Sequence, residues 1–267
     1  MGIENRGGDS PSPFHLPPST FHLLPSMLHT PTRIASAPAL LVSRESHEAA
    51  GRRGAILFYH GFTARKEANL KELESLASAG WLAVGIDNAC HGERRASDFE
   101  SRFTGDPRIV GRNFFEVVRQ TAGEVPAVVD DLLAKGLAAR DRLGIAGISM
   151  GGYITYSALL RDRRLRVAAP ILGSPRYGRS SEDSPHLTPG AFFPVALLSQ
   201  TAGADENVPP HHARELHEAL APHYTAAPER QRYVEFPSAR HFMPAADWDV
   251  LWSNVLAWFG RFLASSQ

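Results

Sequence analysis

Residues 143–160 read LGIAGISMGGYITYSALL, and this stretch places Ser149 between two glycines at the end of an apolar run. The residues before the serine are typical of a buried strand, and residues 153–160 begin a helical pattern. A G-x-S-x-G motif between strand and helix indicates a sharp turn that exposes the serine hydroxyl. The following helix directs its first N–H groups towards negative charge that develops there. By chance alone the motif occurs in about one chain in ten of this length, so the other residues must support it.

The composition predicts one sizeable α/β domain. The 267 residues are 43% hydrophobic and 21% charged, with 28 basic and 28 acidic side chains. A net charge of zero gives no electrostatic reason to expect a nucleic acid or an anionic membrane as partner. The single cysteine, Cys90, excludes an internal disulfide and is typical of a reducing compartment, so we expect a cytoplasmic protein. No apolar run approaches the roughly 20 residues that a membrane span requires.

The first 35 residues differ in composition from the rest of the chain. They are rich in proline, serine and histidine, and they contain a degenerate seven-residue repeat that begins at Phe14, Phe21 and Leu28. Proline in each copy prevents a continuous helix. We therefore expect residues 1–35 to be a disordered extension, or the product of a start codon placed too early, before a domain over residues 36–267.

Strand and helix patterns alternate along residues 36–267. The predicted strands cover residues 39–42, 55–60, 82–86, 143–147, 167–172, 194–200 and 232–236. The predicted helices cover residues 67–79, 125–133, 153–160, 211–220 and 248–263, with Pro126 in the first turn of the second. This alternation favours a mostly parallel, doubly wound sheet with helices on both faces. Ligands of such sheets bind beyond the carboxyl ends of the strands.

Polar residues follow five of the predicted strands. They are His60, Asp87, Ser149, Asp205 and His241. Because the carboxyl ends of parallel strands meet at one edge of the sheet, we expect these groups to converge. Such convergence of residues distant in sequence is far harder to obtain by chance than the serine motif alone.

Ser149, Asp205 and His241 are the candidate nucleophile, acid and base. A serine hydroxyl reacts only when a base takes its proton and a carboxylate orients that base. The chain order Ser, Asp, His is the order found with a strand–turn–helix serine. Glu206 is a rival for the acid, and Asp205 is favoured because it lies closer to the strand end. The structural alternatives are a loop carboxylate and a surface histidine.

Two backbone N–H groups are the candidate oxyanion hole. One belongs to Met150, directly after the nucleophile, and the second to Phe62, in the loop that closes strand 55–60. A neighbour of Phe62 is an open alternative for the second donor. His60 is interpreted as a histidine that shapes this loop rather than as a catalytic group.

Five short blocks together resemble the α/β-hydrolase superfamily. They are HGF at 60–62, DNACHGE at 87–93, GISMGG at 147–152, GAD at 203–205 and RHF at 240–242. The resemblance runs from about Ala39 to the C-terminus, and it is narrower to small bacterial esterases related to dienelactone hydrolases and to the catalytic domain of prolyl oligopeptidases. It implies an α/β-hydrolase fold and hydrolysis of a small-molecule carboxylic ester through an acyl-serine, without a cofactor or a metal.

The remaining polar residues near these blocks have less specific interpretations. His60, Gly61, His91 and Tyr153 are candidate pocket-lining residues. A Cys90–His91 nucleophile is disfavoured because a single cysteine is more often an inert packing residue. A metal site built from the histidines is disfavoured because no pair has the close spacing of a zinc motif.

Two long connections, residues 92–124 and 173–194, flank the predicted site. The first is either a lid or binding loop, or a solvated surface of mixed charge with aromatic anchors. The second is too short for a large cap, so a minimal lid and an open pocket for short or medium acyl chains are expected. A serine peptidase like prolyl oligopeptidase and an inactive binding module with this fold remain alternatives, and nothing in the sequence indicates an oligomeric state.

Overall fold

The computed structural model describes residues 26–177 and 183–263, which contain one sheet of eight strands. The strands are β1 (Leu28–Ile34), β2 (Ala37–Ser43), β3 (Ala55–Tyr59), β4 (Leu82–Ile86), β5 (Leu143–Ile148), β6 (Leu165–Ile171), β7 (Ala196–Ala202) and β8 (Gln231–Phe236). Their order across the sheet is β1-β2-β4-β3-β5-β6-β7-β8. The first three strands in this order, β1, β2 and β4, are joined by antiparallel pairings. Every pairing from β4 across the sheet to β8 is parallel. The predicted mostly parallel sheet is confirmed.

Helices cover both faces of this sheet. They are α1 (His47–Arg53), α2 (Leu70–Ser78), α3 (Phe99–Arg102), α4 (Pro107–Ala134), α5 (Met150–Leu159), α6 (His211–Leu220) and α7 (Ala245–Leu263). One hydrophobic core joins the sheet to α4, α5 and α6, and a second core on the other face joins it to α2 and α7. Helices on both faces confirm the predicted doubly wound arrangement. No helix within the described residues is long and apolar enough to cross a membrane.

The central strands are apolar along their whole length because both of their faces are covered. Every residue of β3 (AILFY) and of β4 (LAVGI) is buried. Parallel strands between two helical layers have this pattern, in contrast to the alternation of a half-exposed strand. The edge strand β8 is only partly buried. The polar ends of the central strands therefore lie at the edge of a rigid layer.

The N-terminal boundary of the domain differs from the expectation. Residues 28–34, within the segment expected to be disordered, form β1, which pairs with β2 from Leu28 opposite Ser43 to Ile34 opposite Ala37. Pro31 is compatible with this strand because an edge strand does not need every N–H group for the sheet. Residues 1–25, with the first copy of the repeat and most of the second, lie outside the described residues.

The long connection after β4 is mostly helical. The helix predicted over residues 125–133 is only the last part of α4, which begins at Pro107 after the N-cap Asp106 accepts the N–H of Arg108 at 2.8 Å. Pro126 lies inside this helix and not in its first turn, contrary to the expectation. The long helix persists through Pro126 because packing of residues such as Val125 and Val129 against the sheet outweighs the lost backbone hydrogen bond.

Candidate active site

Ser149 lies in a strained turn between β5 and α5. Its φ and ψ are 56° and −113°, a backbone conformation that non-glycine residues rarely adopt. The Ser149 N–H donates to the carbonyl of Ile171 on β6 at 2.8 Å, and the Ser149 carbonyl accepts the N–H of Gly152 at 2.8 Å. Hydrogen bonds on both sides therefore hold the strained residue at the carboxyl end of the sheet.

The glycines beside Ser149 permit close backbone contacts. A Cβ atom on Gly147 would lie 2.4 Å from the carbonyl oxygen of Gly151, and one on Gly151 would lie 1.9 Å from the carbonyl oxygen of Tyr59. Both distances are shorter than any normal Cβ contact. The motif thus lets β5 and the start of α5 approach each other and β3, which fixes the position of the serine.

His241 connects Ser149 to Asp205. The Nε2 atom of His241 lies 3.0 Å from Ser149 Oγ, and its Nδ1 atom lies 2.7 Å from Asp205 Oδ2. The Asp205 side chain is 1% exposed. Because a carboxylate only accepts, Nδ1 carries the proton and Nε2 presents a lone pair to the serine hydroxyl. The geometry matches a serine, base and acid in hydrogen-bonded series.

The loop after β7 holds Asp205 by its backbone. Oδ1 of Asp205 accepts the N–H groups of Asn207 and Val208, each at 2.9 Å, which leaves Oδ2 for His241. The rival acid Glu206 is exposed, and within the described residues it has no hydrogen bond or ion pair. Asp205 is therefore the carboxylate that the structure brings to the histidine.

The two predicted N–H donors are free of protein acceptors. Within residues 26–177 and 183–263, neither the Phe62 N–H nor the Met150 N–H donates to another protein group. A Cβ placed on Gly61 would lie 3.7 Å from Ser149 Cβ, so the loop after β3 passes beside the serine. Met150 begins α5, whose N-terminal end favours negative charge.

His60 is buried and uncharged, and it orients the peptide that carries one of these donors. Its Nε2 accepts the Asn88 N–H at 3.1 Å, so Nδ1 carries the proton and donates to the Gly61 carbonyl at 2.8 Å. That carbonyl and the Phe62 N–H belong to one planar peptide group. Burial lowers the pKa of His60 to about 4, more than its hydrogen bond to Gly61 raises it, which keeps the ring neutral.

A cleft of about 860 Å³ opens over Ser149 and His241. Of the four candidate pocket-lining residues, Gly61 and Tyr153 line it, and His60 and His91 do not. His91 is fully buried, and its ring lies 5.5 Å from the ring of Phe62.

Sequence reasoning did not find the other residues that line the cleft. Its wall is completed by Thr63, Asn69, Pro107, Val110, Gly111, Phe114, Phe115, Ile148, Leu172, Asn207, Val208, Phe242, Met243 and Trp248. The cluster of phenylalanines in residues 92–124 was the one available signal, since two of them, on α4, face the cleft. Trp248 was predicted as the first residue of the last helix, which begins earlier, at Ala245.

Asp87 lies beneath the site and has a structural role. It is fully buried and accepts the backbone N–H groups of Lys66 and Glu93 at 2.9 and 3.0 Å, and also the Lys66 ammonium at 3.0 Å. Burial opposes ionisation of Asp87, but these donors outweigh it and lower the pKa of the carboxyl. The ion pair joins the loops after β3 and β4, which fixes the path of the segment that contains Phe62.

The alternative nucleophile and metal interpretations gain no support from the geometry. Cys90 Sγ accepts from Arg102 Nη1 at 3.5 Å, whereas His91 Nδ1 donates to the carbonyl of Ala89 at 2.8 Å. The cysteine and the histidine therefore make no hydrogen bond to each other. In the described part of the chain, no group of three or more His, Cys, Asp or Glu residues is arranged to hold a metal ion.

Two proteins with esterase names are similar in sequence. The "Putative esterase YitV" of Bacillus subtilis is 27% identical over 237 residues, which cover 78% of this chain and 89% of that protein. "Esterase YjfP" of Escherichia coli is 28% identical over 119 residues, 45% of either chain. No family model matches the sequence.

Solved structures share the fold. TT1662 from Thermus thermophilus has a TM-score of 0.73 at 20% identity, with 90% of this chain and 99% of that chain covered. The dienelactone hydrolase from Anabaena variabilis has a TM-score of 0.62 at 18% identity, with 90% and 99% covered. A puromycin-hydrolyzing peptidase of Mycobacterium tuberculosis has a TM-score of 0.70 at 17% identity, with 92% of this chain but 41% of that chain covered.

Proposed function

We propose that this chain is a member of the α/β-hydrolase superfamily and a serine hydrolase that cleaves carboxylic esters through an acyl-serine intermediate. The observation that carries the proposal is the unbroken series from Ser149 Oγ through His241 to Asp205, at 3.0 and 2.7 Å. The esterase names of the two relatives support the choice of an ester.

The proposed reaction begins when Ser149 Oγ attacks the ester carbonyl. His241 Nε2 takes the hydroxyl proton, and Asp205 stabilises the imidazolium through its bond to Nδ1. The carbonyl oxygen becomes an oxyanion that accepts the N–H groups of Met150 and Phe62. His241 then gives the proton to the leaving alcohol oxygen, and the C–O bond breaks to leave the acyl-serine.

The second half of the reaction releases the acid. Water enters, His241 Nε2 takes a proton from it, and the resulting oxygen nucleophile attacks the acyl carbonyl. Collapse of this intermediate returns the proton from His241 to Ser149 Oγ and frees the carboxylic acid. The same N–H pair stabilises both tetrahedral intermediates, and the hydrogen bond from His60 to the Gly61 carbonyl keeps the Phe62 N–H in its orientation.

The replacement Ser149→Ala tests the proposal. We expect it to lower turnover of p-nitrophenyl acetate by at least about 10⁴-fold and to abolish covalent labelling by a fluorophosphonate probe. Far-ultraviolet circular dichroism serves as the control for folding. Labelling of the Ser149→Ala protein at the wild-type rate would mean that the nucleophile is a different residue.

A panel of substrates separates the alternatives. A peptidase of the prolyl oligopeptidase type would cleave aminoacyl-p-nitroanilides with a kcat/KM comparable to that for acyl esters. An ester hydrolase would prefer the esters by orders of magnitude. An inactive binding module would react with neither substrate and would not be labelled by the fluorophosphonate.

A further inference from the structure

Apart from His241, the described lining of the cleft over Ser149 contains no acidic or basic side chain. Eleven of its nineteen lining residues carry apolar or indole side chains, and these are Phe62, Pro107, Val110, Phe114, Phe115, Ile148, Leu172, Val208, Phe242, Met243 and Trp248. A carboxylate group on a substrate would therefore lose its hydration in this cleft without gaining an ionic partner.

Besides Asp205, a second acidic residue is hydrogen-bonded to residues of the cleft wall. Glu72 is 8% exposed, and its carboxylate accepts the Trp248 indole N–H at 3.2 Å and the Asn69 amide N–H at 3.3 Å. Both of its carboxylate oxygens therefore accept a hydrogen bond from a residue of the wall. These bonds fix the Trp248 ring at the cleft, while α2 carries the charge behind it.

Aromatic rings form two parts of the wall. Phe62, Phe114 and Tyr153 contact one another edge to face, with ring centroids 5.8 and 5.4 Å apart along the series. Phe242, in the loop before α7, and Trp248, near the start of α7, supply the second part. Phe242 is 89% exposed, so its ring has almost no protein packed against it. An exposed aromatic ring beside a reactive centre is a contact surface for an apolar ligand.

The size of the cleft exceeds what a small ester fills. Pockets of roughly 300–1,000 Å³ bury most of a drug-sized ligand. At about 860 Å³, this cleft holds a short or medium acyl chain together with a second, larger group.

We propose that the preferred substrates are uncharged esters that carry a bulky, ring-containing apolar group, and that Trp248 and Phe242 contact this group. The inference rests on the proposed ester hydrolysis at Ser149 and specifies its substrate class. It assigns specificity to the segment before and at the start of α7, which supplies these two rings. The ester itself lies over Ser149, and the apolar group replaces the solvent that covers Phe242 in the free protein.

Matched substrates that differ in charge test this class. On the acyl side, the p-nitrophenyl monoester of glutaric acid, which carries a carboxylate, is compared with its uncharged methyl ester, and p-nitrophenyl 4-phenylbutyrate is compared with p-nitrophenyl acetate. We expect kcat/KM to be about 100-fold lower for the carboxylate than for its methyl ester, and about tenfold higher for the phenylbutyrate than for the acetate.

Substitutions in the wall test the assigned residues. Trp248→Ala and Phe242→Ala should each lower the phenylbutyrate-to-acetate ratio of kcat/KM by about fivefold to tenfold. Val250→Ala is the matched control, because Val250 is an exposed apolar residue of α7, 56% exposed, that does not line the cleft. It should leave the ratio unchanged. Trp248→Phe keeps a ring at the wall and should recover most of the ratio, which guards against a folding defect in the alanine variant.

The outcomes separate the substrate class from the reaction. If fluorophosphonate labels Ser149 but charged and neutral esters have equal kcat/KM, the substrate class is wrong and the hydrolase proposal stands. An unchanged ratio in both alanine variants would overturn the assignment of Trp248 and Phe242. If the folded protein is neither labelled nor active on any ester, the proposed function fails and the substrate class fails with it.

Discussion

The replacement Asp205→Asn tests how Asp205 supports His241, because it keeps the shape of the side chain and removes its negative charge. Asp205 Oδ1 accepts two backbone N–H groups at 2.9 Å each, and Oδ2 accepts His241 Nδ1–H at 2.7 Å. An asparagine keeps the two backbone hydrogen bonds only if its carbonyl oxygen occupies the Oδ1 position. Its NH₂ group then faces His241 Nδ1.

The size of the effect follows from this orientation. Opposite an N–H donor, Nδ1 must be an acceptor, so the imidazole proton moves to Nε2, the atom that has to accept from Ser149. In the opposite orientation the amide oxygen would face His241, and the two backbone N–H donors would lose their acceptor. Each unsatisfied donor costs about 1–3 kcal/mol, so this orientation is disfavoured by about 2–6 kcal/mol. Loss of the correctly protonated base lowers kcat by about 10⁴-fold, which is about 5.5 kcal/mol of activation free energy.

The assay is steady-state hydrolysis of p-nitrophenyl acetate by the wild type and by two variants. Glu206→Gln is the matched control, because it makes the same chemical change at the adjacent, exposed position, and we expect less than a twofold effect. Urea unfolding monitors stability, and Asp205→Asn should stay within about 2 kcal/mol of the wild type. If Asp205→Asn kept more than a tenth of the activity while Glu206→Gln lost most of it, the assignment of the acid would be refuted.

Two further predictions concern stability. Gly151→Ala places a Cβ 1.9 Å from the Tyr59 carbonyl oxygen and should lower the free energy of unfolding by about 3 kcal/mol or more. Gly123→Ala, in open space on α4, is the control and should raise the free energy of unfolding by up to about 1 kcal/mol. Equal urea midpoints for the two variants would contradict the close approach of Gly151 to Tyr59. Burial, only partly offset by a hydrogen bond with Gln231, lowers the pKa of His217 to about 4. As the pH falls, the unfolded chain therefore binds a proton at this histidine before the folded protein does. The free energy of unfolding should fall by about 3 kcal/mol as the pH decreases from 6.5 to 4. His60 and His91, whose pKa values burial also lowers, contribute in the same direction, so His217→Gln should reduce but not abolish the pH dependence in urea titrations between those values, and an unaltered slope would show that His217 titrates normally.

The sequence predicts the sheet and the chemical groups well because both follow from local rules. Strands buried on both faces are continuous apolar runs, and β4 has the bounds that its pattern predicts. The order of Ser149, Asp205 and His241 along the chain, each after a strand, determines that they meet at one edge once the sheet is parallel. No information about distant packing is needed for that step.

The elements that the sequence analysis missed depend on packing between distant segments. The α4 helix contains Gly111, Gly123 and Pro126, which weaken a helix locally, so its pattern is clear only near its end. Its burial against the sheet overrides those preferences. Strand β1 contains Pro31, which argues against a strand until its position at the sheet edge is known.

The residues that form the walls of the cleft could not be predicted either, because their positions also depend on packing between distant segments. Phe242 lies in a loop without periodicity, and the position of Trp248 depends on a hydrogen bond to Glu72, which is far away in sequence. His91 was expected in the pocket because its block resembles a segment that packs beside the nucleophile turn in α/β hydrolases. Its ring instead packs among Phe62, Phe99 and Phe103, a preference that only the folded arrangement reveals.

Helix α4 lines the cleft, whereas the strand-end loops carry the proposed reacting groups, and this separation allows the two to change independently. The first turns of α4 supply a quarter of the cleft's surface residues, namely Pro107, Val110, Gly111, Phe114 and Phe115, yet they carry none of the atoms that move protons. Those atoms lie on the turns after β5, β7 and β8, each fixed by its own backbone hydrogen bonds. Selection, natural or in the laboratory, is therefore able to remodel what enters the cleft by exchanging helix side chains while the reacting machinery stays intact.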